Sequence, residues 1–384
     1  MKIKIINFHI FPRHVFAKVS IQIFGIDFLP KKVYNMNYKS HEGYFMKRFL
    51  ISPDKKQYKA NLHCHSTLSD GSRTPEELKA MYKEHGYDVL AITDHCHPHS
   101  HADLSDKDFL MLTAYEAYIR ESGGKFDKFK REIHLNLFAK NPYNEALVCC
   151  DKRYIKYIPE DELLKMKKVG DASPREYSVE YINKFIKTAN ENGYLVAYNH
   201  PYWSLEDVAD ILSYENLWSI EIRNTGSYIF NNLENGEMLY DAMLRRGMRL
   251  GVNAGDDNHN KHFVGDPMCD SFGWYTVILA DGLEYSEIIS AMEKKDCYVS
   301  NGPEIKELSV ESGVATIECS PAEAVFMYDG SKQPISVRLP KGETKTHFEL
   351  PIRDRAEHIR VSVYDTEGRA ANSRGFFRDE WQSR

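Results

Sequence analysis

From Tyr58 onward, short apolar runs alternate with stretches whose apolar residues recur every three or four positions. That alternation predicts β/α units around a largely parallel sheet. The apolar runs place strands at residues 59–65, 89–93, 111–118, 133–139, 194–199, 219–223, 250–254 and 274–279. Helical spacing covers 178–192, 205–214, 233–246 and 285–295. An earlier helix opens at Thr74-Pro75-Glu76-Glu77, with Thr as its cap, Pro in its first turn and two acids at its positive end, and it closes near Gly86. About seven such repeats point to an α/β fold, a closed or distorted (β/α)7 barrel over residues 58–303.

After Asn301-Gly302-Pro303 the period changes to short strands at 307–310, 314–319, 324–328, 335–339, 346–350 and 359–364, with no helix among them. Residues 304–384 are therefore expected to form a small all-β, sandwich-like C-terminal domain. Residues 1–57 mix apolar and basic positions without sustained periodicity and are expected as an N-terminal extension. Met46-Lys47-Arg48-Phe49-Leu50-Ile51-Ser52 leads into the first strand, which makes Met46 a candidate start and the residues before it an upstream extension of the reading frame.

Composition narrows the class. With 384 residues, 42% hydrophobic and 28% charged, the chain reads as an ordinary globular protein of two or three domains. A net charge of -6 leaves no global basic field for polymeric nucleic acid or an anionic membrane. No apolar stretch is long enough to span a bilayer, and Arg13, Lys18 and Asp27 break up the N-terminal apolar pieces that could pass for a secretory signal. Seven cysteines without regular pairing favour a reducing, cytoplasmic setting.

The chemistry lies at the strand ends. In His63-Cys64-His65, strand alternation turns the two imidazoles to one side and the thiol to the other. Asp70 follows in the Gly-containing turn Ser69-Asp70-Gly71, which can fold its carboxylate over the same strand end. Thr93-Asp94-His95, Glu116, His134 with Asn136, Asn199-His200-Pro201 and Asp256-Asp257-Asn258-His259 occupy comparable places further along. Taken singly, each could be a satisfied core polar residue. Six such clusters at successive strand ends point instead to a multinuclear metal site, because buried imidazoles and carboxylates are costly unless paired or metal-bound.

Those residues carry a family resemblance. His63-x-His65 with Ser69-Asp70-Gly71 and Thr74-Pro75-Glu76-Glu77-Leu78, then Ala91-Ile92-Thr93-Asp94-His95, resembles the opening of the PHP family, named for polymerase and histidinol phosphatase. The likeness continues in order through Glu116, His134, Asn199-His200-Pro201 and Asp257-x-His259, over roughly residues 58–303. It implies a distorted seven-stranded barrel with three divalent metal ions (Zn, Mn or Fe) at its C-terminal face. Carried over, it assigns His63, His65, Glu116 and Asp257 to one metal, with Glu116 bridging to a second held by His134 and His200. Asp70, His95 and His259 would hold the third. Asp256 competes with Asp257 for its place, and the spacing to His259 favours Asp257. An Asp at position 70 is similar to the branch acting on small phosphate esters and nucleotides.

The implied activity is a metal-dependent phosphoesterase hydrolysing small organic phosphates through a metal-bridging hydroxide, with no protein nucleophile. Six imidazoles, three carboxylates and three divalent ions leave about three positive charges, suited to a phosphate dianion. Arg223, His97 and His99 are candidate substrate contacts, with His101 in the same loop. The segment Tyr298-Val299-Ser300-Asn301-Gly302-Pro303, the tail and Asp365-x-x-Gly368-Arg369-Ala370 look like a PHP subgroup that includes aryl ester hydrolases, although Asn372-Ser373-Arg374-Gly375 departs from that subgroup's usual ending. Hydrolysis of carboxylic or carbamate esters at the same site is therefore the alternative. A polymerase accessory role is disfavoured, since no polymerase-sized remainder and no basic stripe are present.

Overall fold

The computed structural model describes residues 46–122, 130–232 and 235–382. Expectations for the residues before Met46, including the upstream extension, lie outside the described residues.

Among the described residues, fourteen strands form one sheet and four form a second. The larger sheet runs through Gly251–Gly255, Ser219–Asn224, Tyr194–Tyr198, Glu132–Ala139, Leu110–Arg120, Val89–Ile92, Lys56–Asn61 and Tyr275–Ala280. It continues through Cys297–Ser300, Ala370–Ser373, His358–Tyr364, Ala324–Tyr328 and Ile335–Arg338, with Phe376–Phe377 paired to His358–Tyr364.

The expected parallel sheet is only partly parallel. Glu132–Ala139 runs antiparallel to both of its neighbours, and Tyr275–Ala280 antiparallel to Lys56–Asn61. Residues 121–131 are fewer than the dozen or so that a parallel crossover needs, which forces the first of these reversals. A closed barrel is not shown, because among the described residues no ladder joins Gly251–Gly255 back to Lys56–Asn61. The sheet nevertheless curls until Gly251–Gly255 lies against Tyr275–Ala280 and the end of Lys56–Asn61. Ala254 N–H donates to Thr276 Oγ1 at 2.9 Å, and Asp256 N–H donates to Asn61 Oδ1 at 2.9 Å. Gly255 permits the approach, since a Cβ there would lie 2.5 Å from that of His63.

Helices cover this curl for the reasons their sequences indicate. Pro75–Glu84 starts with a full capping box between Thr74 and Glu77. Val179–Glu191, capped by Ser178, buries Tyr181, Ile182, Phe185, Ile186 and Ala189 on one face. The helix expected over 205–214 shrinks to Val208–Ile211, and Thr225–Asn231 is helical where no helix was expected.

The tail is sheet-rich but does not stand apart. Ile305–Glu311, Val314–Ala322 and Lys345–Pro351 form the second sheet together with Arg48–Ile51, a strand that arises inside the supposed extension. Its partner explains why the local pattern missed it, for Arg48 pairs with Val310. The remaining tail strands extend the large sheet through Cys297–Ser300 and Ala370–Ser373. Leu308, Ile317 and Phe348 from the smaller sheet share one apolar cluster with Val325, Val361 and Val363 from the larger. A short helix, Arg378–Trp381, closes the described chain. No helix among the described residues is long and apolar enough to cross a membrane.

Candidate metal centre

Backbone pairing brings the two ends of the motif series together. His65 N–H donates to the Asn258 carbonyl at 3.1 Å, and Asp257 N–H donates to the His63 carbonyl at 2.9 Å. Gly71 packs so tightly on the same turn that a Cβ would lie 2.2 Å from the His65 carbonyl oxygen, which lets the turn present Asp70. Asp94 braces that turn, accepting from the backbone and hydroxyl of Ser66 and from the Ser69 hydroxyl. His200 and Asp257 adopt positive φ, +23° and +51°, where side-chain-bearing residues carry strain.

The result is a buried knot around Glu116. Its carboxylate oxygens lie 2.9 Å from His134, 3.0 Å from His95, 3.2 Å from His63, 3.4 Å from His200 and 3.5 Å from His65. Asp257 Oδ1 lies 3.2 Å from His63 and 3.1 Å from His65. Asp70 faces His259 at 3.4 Å, His95 at 3.7 Å and His65 at 3.8 Å. All nine expected ligands thus converge. Four overlapping sets of donors, each with its atoms within 4.8 Å of one another, contain every one of them: His65, Asp70, His95 and His259; His63, His65 and Glu116; His63, His200 and Asp257; His95, Glu116 and His134.

Several atoms in the knot have no hydrogen-bond partner despite full burial: His63 Nε2, His65 Nδ1, His95 Nδ1 and Glu116 Oε2. Buried polar atoms are normally satisfied, so orphans gathered at one point fit a shared cation. Electrostatics agree. Burial opposes charge on Glu116, yet His134 and His63 hold its carboxyl well below the usual range. Burial opposes charge on Asp257 too, and His63 and His65 outweigh it downward. In exchange, against its own burial, His134 is pushed up to about 10 by Glu116, and His259 to about 9 by Asp70. His65, buried and flanked by His259 and His95, is pushed down to about 4. Imidazoles that ligate as neutral groups give up those protons, and divalent ions would then supply the positive charge the three carboxylates need.

Residues not singled out beforehand orient the donors. Glu221, fully buried, accepts from His63 Nδ1 at 3.0 Å, which leaves Nε2 free to ligate. Its other oxygen accepts from the His200 backbone N–H at 3.0 Å and Asn224 Nδ2 at 2.9 Å. The signal that marked Glu116, an acid inside an apolar strand, was equally present at Glu221. Asp256, the rival of Asp257, points away into bonds with Tyr82, Phe272 and Gly273, and burial pushes it up to about 6.

A cavity of about 320 Å³ opens over the knot. Tyr118, Tyr157, Trp203 and Phe230 contribute aromatic surface to it, while Arg120 and Lys156 are its basic members. Arg120 is itself paired with Glu132, which contacts His134 Nε2 at 3.2 Å. The structure does not bring Arg223, His97 or His99 to this cavity. Arg223 forks onto Glu237 and lies 4.6 Å from the Trp274 ring centroid. His97 and His99 line up with Glu162 elsewhere.

A buried site of orphaned imidazoles and carboxylates under an open cavity is a donor set for divalent metal ions. Residues 61–200 match the model of the PHP domain, and with that donor set the match defines the protein's class, a metal-dependent hydrolase. Asp257 and His259 lie beyond the match, and the fold delivers them to it. No curated protein matches the chain. A two-domain protein from Bacteroides vulgatus, containing what is described as a predicted PHP-like metal-dependent phosphoesterase, is similar at 11% identity, covering 86% of this chain and 97% of that one, with a TM-score of 0.41. A protein from Bifidobacterium adolescentis, a metal-dependent phosphoesterase by provisional assignment, shares 18% identity over 55% of this chain and 92% of that one (TM-score 0.33). An amidohydrolase from Chromobacterium violaceum, with bound sulfate and no metal, shares 18% over 52% and 87% (TM-score 0.34).

Proposed function

We propose that the protein hydrolyses small organic phosphate esters, of the nucleotide or sugar phosphate class, at a trinuclear centre of Zn, Mn or Fe ions. The observation that carries this reading is the convergence of nine donors beneath a cavity whose wall includes Arg120 and Lys156. His63, His65, Glu116 and Asp257 would hold one ion, Glu116, His134 and His200 a second, and Asp70, His95 and His259 the third. Bound divalent ions supply Lewis-acid activation of water and neutralise charge on phosphate oxygens. Glu221 fixes the His63 tautomer, and the Glu132 contact orients His134. Lys156, exposed at the rim, supplies fixed positive charge to draw in and orient a phosphate. Tyr118, Tyr157 and Trp203 shield the leaving group from water.

In this reading the curled sheet is a distorted seven-stranded barrel over residues 58–303, and residues 304–384 are a sandwich-like domain that supports it. All seven cysteines are free, which supports a reducing, cytoplasmic setting. The aromatic wall favours one second reading, hydrolysis of carboxylic or carbamate esters of aryl alcohols. The test sets p-nitrophenyl phosphate against p-nitrophenyl acetate on the metal-reconstituted protein, with His134→Ala as blank. Phosphate hydrolysis that falls at least about 100-fold in the variant supports the phosphoesterase. Acetate hydrolysis alone, equally lost in the variant, moves the assignment to the esterase.

A further inference from the structure

His97 and His99 follow His95 in the loop after Val89–Ile92, and Glu162 lies in the helix Glu160–Lys165. Their ligating atoms all stand within 4.8 Å of one another. None of the three belongs to the nine-donor centre. His97 is 4% exposed, and its Nδ1 donates to the Leu68 carbonyl at 3.0 Å. That bond fixes the tautomer and leaves the Nε2 lone pair available. Nε2 is buried and has no hydrogen-bond partner. It faces Glu162 Oε1 at 3.5 Å, beyond a good hydrogen bond. Two ligand atoms about 2.1 Å from one ion, set at the tetrahedral angle, stand about 3.4 Å apart. The observed gap matches that of two ligands sharing one ion.

We propose that His97, His99 and Glu162 form a separate mononuclear site for a first-row divalent transition metal, of which Zn(II) is the probe ion. Two imidazoles and one carboxylate suit such an ion and leave coordination positions open. His99 and Glu162 line a second cavity, about 750 Å³, distinct from the one over the nine donors, and solvent or a small ligand reaches the open positions from there. The site acts through position. Lys156 and Tyr157, on the wall of the first cavity, precede Glu162 by six and five residues, whereas His97 is two residues from His95. An ion bound here ties the segment carrying Lys156 and Tyr157 to the loop carrying His95.

The test counts metal. The full chain is stripped, reloaded with Zn(II), freed of excess by dialysis and assayed for Zn per chain by elemental analysis. Glu162→Gln is isosteric and its side chain is 43% exposed, so the fold is retained. His99→Ala is the second variant, and circular dichroism checks both. Each single variant, and the double variant, is expected to retain about one equivalent fewer than wild type. The same single-equivalent loss is expected in a background already lacking His134, which separates this site from the central one. Zn content equal to wild type in folded Glu162→Gln and His99→Ala overturns the proposal. So does a loss that disappears in the His134→Ala background, since the lost metal would then belong to the nine-donor centre.

Discussion

Buried charge is handled in opposite ways in two regions of this molecule. Within the tail and where it meets the body, the buried charges of Asp329 and Arg360 each have a counter-charge. Arg360, 3% exposed, forks onto both carboxylate oxygens of Asp241 and also reaches Ser362. Asp329 takes two bonds from Arg353, at 2.9 and 2.8 Å. At the nine-donor centre three carboxylates crowd six imidazoles, and four of the atoms have no hydrogen bond at all. Burial alone therefore does not mark a functional site. What distinguishes the centre is a concentration of unsatisfied imidazole and carboxylate atoms at one point, which an added cation relieves.

The largest effect follows from breaking a satisfied pair. Asp241→Ala leaves the Arg360 guanidinium buried without its partner, and the expected cost is about 3 kcal/mol of stability. Denaturant unfolding measures it, and Zn content should not change. Replacing both residues by apolar ones of similar size should recover most of the loss, since the pair is structural. A drop in metal content in the folded single variant would break the distinction between the two regions.

The next effect is chemical and leaves stability nearly untouched. Glu221→Gln keeps the shape but weakens the acceptor for His63 Nδ1. Metal affinity at the centre should fall about 10- to 100-fold, the usual effect of losing such an orienting partner. Competition with a chelator of known affinity reads it directly. Unchanged affinity would mean that His63 is held by packing alone.

The centre was legible in the sequence because its donors sit at strand ends, and strand ends can be read from short apolar runs. His63-x-His65, His95 and Asp257-x-His259 each follow such a run, and their spacing survives in the fold. The preference for Asp257 over Asp256 rested on the same local spacing, and it is Asp257 that lies beside His65 while Asp256 bonds Tyr82. What depended on distant partners was not legible. Arg48–Ile51 has no pattern of its own and becomes a strand by pairing with residues about 260 positions away, across the chain. The reversal of Glu132–Ala139 depends on a connection too short for a crossover, a constraint that residue periodicity does not carry. His97 and His99 stood out as histidines, but Glu162 lies in a helix outside every predicted element, so their grouping appeared only in three dimensions. Arg223 was noticed for its charge, and its partner Glu237 was visible in the sequence but not its proximity.

The smallest effect tests a third way of burying an acid, with neither a counter-charge nor a cluster of imidazoles. Glu206 is 9% exposed and accepts from the hydroxyls of Tyr177 and Tyr214. Burial raises its pKa above the ordinary 4.5, and the hydroxyls of Tyr214 and Tyr177 only partly offset this. The sign follows from proton counting. Between 4.5 and the raised value the folded state holds the proton more than the unfolded state does, so stability falls as pH rises through that window and is level above it. Glu206→Gln carries no titrating proton and keeps an oxygen for the tyrosine hydroxyls, so this part of the slope should vanish while stability below the window stays close to wild type. Urea unfolding of both proteins from pH 4 upward, with the centre kept metal-free so that its ligands contribute equally to each, isolates the difference. Parallel curves would mean that Glu206 is as well served in its charged form as the carboxylates paired with arginine, and the contrast between paired and unpaired burial would then rest on the metal centre alone.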